Sequence, residues 1–237
     1  MTERLSSLTI IIPAYNEEGS LEKVVRAALS TAEDISQAFE IIIINDGSRD
    51  RTREIAERLA EKEPMIRVIN HPFNLGFGAA QKSGFGQARY DHVTLVPADD
   101  QFDTECLKKF VPLIDGADCV VGYRVNRADP LHRRINTRIF RWVMRVLFGV
   151  KLRDINWVKL FRRKILDGLE INFQGIGVDA EVVVKAMQRG CRFRETEVSY
   201  RPRIAGESTG DRPLNVFITV IELLVLWYRF RIARKKI

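Results

Sequence analysis

Four short stretches of the sequence place carboxylates, amides and an aromatic ring directly after apolar runs. They are Ile12-Pro13-Ala14-Tyr15-Asn16-Glu17-Glu18, Asn45-Asp46-Gly47-Ser48-Arg49-Asp50-Arg51-Thr52, Asn74-Leu75-Gly76-Phe77-Gly78-Ala79-Ala80 and Val96-Pro97-Ala98-Asp99-Asp100-Gln101-Phe102-Asp103. In the first, Tyr15 can stack on a nucleobase and a carboxylate can accept from its N–H groups; the same residues also read as a strand end followed by helix caps. In the second, Asp46 stands where a ribose or base would be held, while Ser48 and Asp50 read as caps of the next helix. The third is a glycine-rich turn opening a helix, superficially a phosphate cradle. It matches neither G-x-G-x-x-G nor G-x-x-x-x-G-K-[ST], so a dinucleotide site or an NTPase is not supported. The fourth is a carboxylate cluster offering the hard oxygen ligands that Mg²⁺ or Mn²⁺ takes, a cation that could bridge a diphosphate leaving group. Asp103 at its end reads as the N-cap of a helix starting near Glu105.

The apolar runs themselves, residues 8–13, 39–45, 66–70, 92–97 and 118–122, read as strands separated by charged amphipathic segments. Strand and helix alternating in this way predict an α/β fold, a mostly parallel sheet with helices on both faces. Ile41-Ile42-Ile43-Ile44 is apolar throughout, as a strand buried on both sides should be. Ligands of open α/β sheets gather beyond the carboxyl ends of the strands. Asn16, Asp46, Asn74 and Asp99 all follow such ends and should converge on one crevice. The second half is less regular: a basic helix over 129–150, a short strand over 157–161, a helix over 178–189, a strand over 193–200 and a last helix from 214 onwards.

The chain has 237 residues, 46% hydrophobic and 29% charged, enough for a folded α/β domain with a real core. Its 38 Lys+Arg against 31 Asp+Glu, a net charge of +7, favour anionic partners such as phosphorylated substrates, nucleic acid or an acidic lipid surface. Cys106, Cys119 and Cys191 are scattered and form no C-x-x-C, which argues against a disulfide framework or structural zinc and suits a reducing cytoplasm. The first eight residues lack the apolar core of a signal peptide. Residues 214–230 are apolar but interrupted by Asn215, Thr219 and Glu222, short of the ~20 clean residues of a spanning helix. This segment is expected to lie on a membrane rather than cross it.

In order and spacing, the four stretches resemble the glycosyltransferase family 2 pattern on the GT-A fold. The closest likeness is to its polyprenyl-phosphate branch, the dolichol-phosphate mannosyltransferase-like enzymes, and it covers nearly the whole chain. The resemblance implies that Pro13, Tyr15, Glu17, Ile44 and Asp46 hold the nucleoside of a sugar donor, with Ala98 beside it. It implies that Asp99 and Gln101 hold the Mg²⁺ or Mn²⁺ ion and the diphosphate. Arg124, in Gly122-Tyr123-Arg124, matches the family's arginine after the fifth strand, and Arg203, in Arg203-Ile204-Ala205-Gly206-Glu207-Ser208, a second one on a late loop. Both would neutralise phosphate oxygens, since a guanidinium donates in a fork, and with Asp99 they are the expected catalytic residues. Three departures stand out: Pro97 replaces the first Asp of the family's D-x-D, Asn45 the first of two common aspartates, and Thr209 a lysine of some members.

Arg134, Arg138, Arg141 and Arg145 fall on one side of the basic helix, and Ile135, Ile139, Trp142 and Val146 repeat the same steps one residue on. Such a helix can lie among anionic headgroups and gather a lipid phosphate; the ordinary alternative packs the apolar side on the core. The resemblance puts Arg133 and Thr137 at the acceptor phosphate. It also implies an inverting transfer of a hexose (mannose or glucose) from a GDP- or UDP-sugar to a dolichyl or undecaprenyl phosphate, peripherally at the cytoplasmic face of a membrane. Residues 1–212 would form the catalytic domain and 213–237 a membrane-associating amphipathic helix. An anionic phosphate acceptor needs no protein base. A saccharide hydroxyl, the first rival acceptor, would need one, and Asp179 is the candidate, though it could equally cap its helix. Asp154 and Lys159 match a D…G-F-K segment with Trp157 and Val158 in its middle, a wall of the sugar or acceptor site. The second rival, a nucleic-acid-binding protein, lacks any helix-turn-helix, zinc-finger or RNP signature.

Overall fold

The computed structural model describes residues 4–125, 131–175, 177–201 and 213–231. Strands β1 (Leu8–Ala14), β2 (Phe39–Asn45), β3 (Ile66–Asn70), β4 (His92–Leu95), β5 (Cys119–Arg124), β6 (Lys159–Arg162) and β7 (Phe193–Val198) form one sheet in the order β3-β2-β1-β4-β6-β5-β7. All neighbours pair parallel except β6, which runs antiparallel to both β4 and β5. The α/β, mostly parallel expectation is therefore met, and the loops after β3, β2, β1 and β4 line one end of the sheet side by side.

Alternation along β2 builds two cores at once. Ile41 and Ile43 pack on one face with Ile10, Ile12 and the inner sides of α1 (Leu21–Ile35) and α2 (Thr52–Lys62). Ile42 and Ile44 pack on the other with Ile11 and residues of α3 (Phe77–Gln87), α5 (Leu131–Phe148), α7 (Val178–Gln188) and α8 (Pro213–Arg231). Each such isoleucine contributes about 1.5–3 kcal/mol by leaving water, so β2 is an anchor for the loop that follows it. A 3₁₀ helix (Thr104–Lys109) with the one-turn α4 (Val111–Ile114) precedes β5, and the one-turn α6 (Arg163–Leu166) follows β6.

The expected strand over 92–97 stops at Leu95. Val96 still donates to Ile11 O, but Pro97 has no N–H to extend the ladder. Pro13 is tolerated in central β1 because pairing with β4 ends at Ile11–Leu95. The strand expected from Trp157 begins at Lys159, whose Nζ donates to the Trp157 carbonyl. Helix α5 ends at Gly149, whose φ of 74° suits a residue without Cβ.

Candidate active site

The loops after β1 and β2 are laced together by their own polar groups. Asn16, in the left-handed region at φ 56°, donates its N–H to Ser48 Oγ and accepts from Arg49 N–H on Oδ1. Glu17 N–H donates to Thr52 Oγ1, Glu18 N–H to Asp50 Oδ2, and Arg51 N–H to Glu18 Oε2. Ser48 and Asp50, expected to cap the following helix, thus bridge to the neighbouring loop, although Asp50 Oδ1 also accepts from Thr52 N–H. Burial opposes ionisation of Asp50, but the Thr52 hydroxyl with the Thr52 and Glu18 N–H groups outweighs it and holds the carboxyl below its ordinary value. Tyr15 stands exposed at the rim, Pro13 and Glu17 are half-buried, and Glu17 Oε2 accepts from Ser20 Oγ at 2.8 Å.

Asp46, at the end of β2, is buried and tied to the loop after β3. Only 4% exposed, it accepts from Leu75 N–H (3.0 Å) on Oδ1 and Gly76 N–H (2.9 Å) on Oδ2, and Oδ1 also meets His71 Nδ1 at 2.7 Å. His71 in turn reaches Ser83 Oγ of α3 through Nε2. The carboxylate therefore holds the glycine-rich turn in place. The turn is no phosphate cradle. Leu75 and Gly76 give their N–H groups to Asp46, and Gly78 gives its N–H to Gln174 O. A Cβ on Gly78 would lie 2.2 Å from Phe173 O, so glycine serves close backbone packing here. Ile44 has its side chain wholly inside the core and Ala98 is buried, so either would meet a nucleoside through its backbone. His71 was not singled out from the sequence; its signal was that it follows β3 as Asp46 follows β2.

After β4, Asp99 is half-buried and accepts from Gln101 N–H at 3.2 Å. Asp100, at φ 58°, turns away to pair with Lys23 and, at 3.6 Å, with Arg201. Gln101 Nε2 donates to Tyr200 Oη at 2.9 Å, tying this loop to the end of β7. Asp103 caps the 3₁₀ helix by accepting from Glu105 N–H, as expected, and pairs with Arg201. Among the described residues no group of three or more His, Cys, Asp or Glu side chains could cage a metal. Mg²⁺ and Mn²⁺ do not require such a cage: one or two protein oxygens suffice when phosphates and water complete the shell. Asp99 with the Gln101 amide fits that lesser demand.

Arg124, expected to face phosphate, donates to Asp154 by two hydrogen bonds, Nε to Oδ2 (2.7 Å) and Nη2 to Oδ1 (3.1 Å). Its guanidinium lies 4.2 Å above the Trp157 ring, itself edge-on to Phe102 and Tyr200. Beside this stack, buried Lys159 donates to Asp179 Oδ1 at 2.8 Å, and Gln81 Nε2 of α3 reaches the same oxygen at 3.2 Å. Asp154 and Lys159 therefore brace other site residues, and Gln81 and Tyr200, not singled out from the sequence, join them. Arg203 lies outside the described residues, as does the Arg133 side chain; Thr137 is half-buried on α5.

The helix α5 carries three stripes. Met144 and Phe148 are buried against the core with Phe140, Val143 and Leu147 partly so. Arg134, Arg138, Arg141 and Arg145 are exposed, and so are Ile135, Ile139, Val146 and Trp142, the last at 64%. The alternative in which this apolar stripe packs on the core is thus overturned. On α8, Leu223 and Leu226 are buried with Thr219, and Glu222 lies against Gly177, while Ile218, Val220, Ile221, Leu224, Val225 and Tyr228 face outward. No helix of the described residues is long and apolar enough to cross a membrane.

The profile of Glycosyl transferase family 2 matches residues 9–169. An undecaprenyl-phosphate 4-deoxy-4-formamido-L-arabinose transferase of Pseudomonas syringae is 34% identical over 166 residues, 68% of this chain and 49% of that protein. The glycosyltransferase AglD of Haloferax volcanii is 28% identical over 236 residues, 95% of this chain and 38% of its own length. The chain thus spans half or less of the length of these curated relatives. Among solved structures, glucosyl-3-phosphoglycerate synthase from Mycobacterium tuberculosis, in complex with Mn²⁺, UDP and glucosyl-3-phosphoglycerate, superposes with a TM-score of 0.72 at 17% identity, covering 93% of this chain and 80% of that one. S. aureus TarS with UDP-GlcNAc superposes at 0.63 and 19% identity, covering 93% and 66%. The chain belongs to glycosyltransferase family 2 and has its GT-A fold.

Proposed function

We propose that this family 2 glycosyltransferase moves a hexose from a nucleoside-diphosphate sugar to a polyprenyl phosphate, working peripherally on a membrane surface. The observation that carries the acceptor class is the outward side of α5, where four exposed arginines run beside four exposed apolar residues. That pairing suits an anionic headgroup above an acyl layer, and α8 adds a second apolar outward side. The named relative acts on undecaprenyl phosphate, which agrees with the reading.

In this proposal the donor lies along the rim formed by the loops after β1, β2 and β4, with Tyr15 against the base and the diphosphate near Asp99 and Gln101. Mg²⁺ or Mn²⁺ held there by Asp99 and Gln101 would supply positive charge to the departing diphosphate. Arg203 and Arg133 would add donors for the two phosphates, and Thr137 would stand by the acceptor. An acceptor phosphate oxygen is anionic near neutral pH. It forms a bond to the anomeric carbon as the bond to the diphosphate oxygen breaks, the nucleoside diphosphate leaves, and the anomeric centre inverts. No protein base is required. This agrees with Asp179, whose Oδ1 is already shared between Lys159 and Gln81. Residues 1–212 would be the catalytic unit and 213–237 the membrane-associating part, at the cytoplasmic leaflet where nucleotide sugars are met.

The test is incubation of the protein with labelled UDP- and GDP-hexoses, Mn²⁺ or Mg²⁺, and polyprenyl phosphate, followed by organic extraction. A lipid-linked labelled product from one donor is expected. Transfer only to soluble saccharides would replace this reading with the hydroxyl-acceptor one, in which Asp179→Asn abolishes activity.

A further inference from the structure

The inner side of α8 carries a carboxyl at its centre. Thr219, Glu222, Leu223 and Leu226 follow the i, i+3, i+4, i+7 steps of one helix side, and Glu222 Oε2 is enclosed, with no hydrogen-bond partner among the described residues. This carboxyl stands so close to Gly177 that a Cβ there would lie 2.3 Å from Oε2. Gly177 has φ −66° and ψ −11°, which any residue adopts, so glycine is needed here for the close approach and not for its backbone. Gly177 ends a strap that begins at Asn172 and is tied to the rim along its length. Glu181, 1% exposed and paired with buried Lys185, accepts from the Asn172 and Phe173 N–H groups. Gln174 O accepts from Gly78 N–H at 2.9 Å, and Gly76 also packs on that carbonyl, so the strap seats the glycine-rich turn from the side opposite Asp46. Val178 N–H closes the strap's end on Gly175 O, and one residue on, Asp179 receives Lys159 and Gln81. Glu222 therefore bears on the backbone that carries one wall of the rim.

Water and lipid weight the orientation of α8 differently. With Ile218, Ile221, Leu224 and Val225 facing out and an enclosed carboxyl facing in, water favours a helix rolled so that the apolar residues meet the domain and Glu222 is hydrated. A bilayer takes the apolar side and favours the orientation that presses Glu222 on Gly177. One element with two arrangements, biased at one end by lipid and touching the rim at the other, meets the requirement for coupling between two sites. We propose that the seating of α8 on an anionic membrane sets the strap through Glu222 and Gly177 and so tightens binding of the nucleoside diphosphate at the rim. This rests on the membrane reading above and is independent of which acceptor is used. Coupling of this kind is reciprocal, so the diphosphate also tightens membrane binding.

The test is calorimetry of UDP and GDP with Mn²⁺, with and without vesicles of phosphatidylcholine and phosphatidylserine that hold no polyprenyl phosphate, alongside flotation of the protein with the same vesicles. Wild type should float and should bind its diphosphate about fivefold or more tightly on vesicles. Gly177→Ala drives a methyl group against the carboxyl; Glu222→Ala removes the carboxyl and leaves the strap's backbone as it is, and so serves where the first variant does not fold. Both variants should float without nucleotide and bind the diphosphate in solution as wild type does, and should lose the vesicle effect. A wild type that floats yet binds the diphosphate equally with and without vesicles overturns the proposal and leaves the membrane reading standing. A wild type that does not float overturns both. A vesicle effect that persists in Glu222→Ala overturns the route through this contact.

Discussion

On α1, Leu21, Val24, Val25, Ala28, Ala32 and Ile35 are buried while Glu22 and Arg26 pair on the outside; on α8, Thr219 is buried and Glu222 lies against Gly177 while Ile218, Ile221, Leu224 and Val225 face out. The first arrangement is what water selects for a helix on a domain surface. The second turns Thr219 and Glu222 toward the domain beside Leu223 and Leu226, and leaves a row of apolar residues on its outer side. Like the exposed stripe of α5, it sets several large apolar residues outward on one helix, and grouped apolar exposure marks places where something other than water is met. The rim at the ends of β1 and β2 shows the reverse economy, since Asn16, Asp46, Ser48 and Asp50 are all partnered within the protein. One region is built to hold its shape in water, and the other is proposed to meet lipid.

Separate substitutions should separate the two regions. The largest effect is expected from Asp99→Ala, which strikes the rim alone: initial transfer rates should fall at least about 100-fold, while flotation with anionic vesicles and the circular dichroism spectrum stay unchanged. Normal turnover would remove Asp99 from the site. Ile139→Ser combined with Trp142→Ser strikes the other region and should lower binding to phosphatidylserine-containing vesicles about tenfold, with nucleoside diphosphate affinity retained. Undiminished vesicle binding would mean that the α5 stripe has another occupant.

The smallest effect concerns the polar residue that α8 turns inward. Burial pushes the Glu222 carboxyl above its ordinary value of 4.5, and Glu181 nearby pushes it further. A folded-state value above the unfolded one means that the protonated side chain favours the fold. That contribution is complete below 4.5 and is lost as pH rises through the folded-state value. Glu222→Gln should therefore raise the melting temperature slightly at neutral pH, with the difference vanishing in acid. A variant that is less stable at neutral pH would show that the charged carboxylate, at the start of α7, stabilises the seat of α8.

Much of the fold was legible because strand signals are local. β2 and β3 fall where their apolar runs predict, and the β4 boundary moved only because of Pro97. The site was legible in its place but less so in its roles. Residue type and position relative to a strand end mark Asp46 and Arg124, yet their partners, His71 and Asp154, lie 25 and 30 residues away in sequence and carry no spacing signal. The same holds for Gln81, which meets Asp179 across 98 residues. In α8, Thr219 and Glu222 read as interruptions of an apolar run; only the packing reveals that they mark the side facing the domain.

The central claim is that the sugar is passed to a lipid phosphate oxygen. The most direct measurement supplies the preferred labelled sugar nucleotide and Mn²⁺ to the protein with vesicles containing either a polyprenyl phosphate or the matching polyprenol. Labelled lipid is expected from the phosphate and none from the alcohol. Product from the alcohol, or from neither lipid while soluble saccharides are labelled, would contradict the account.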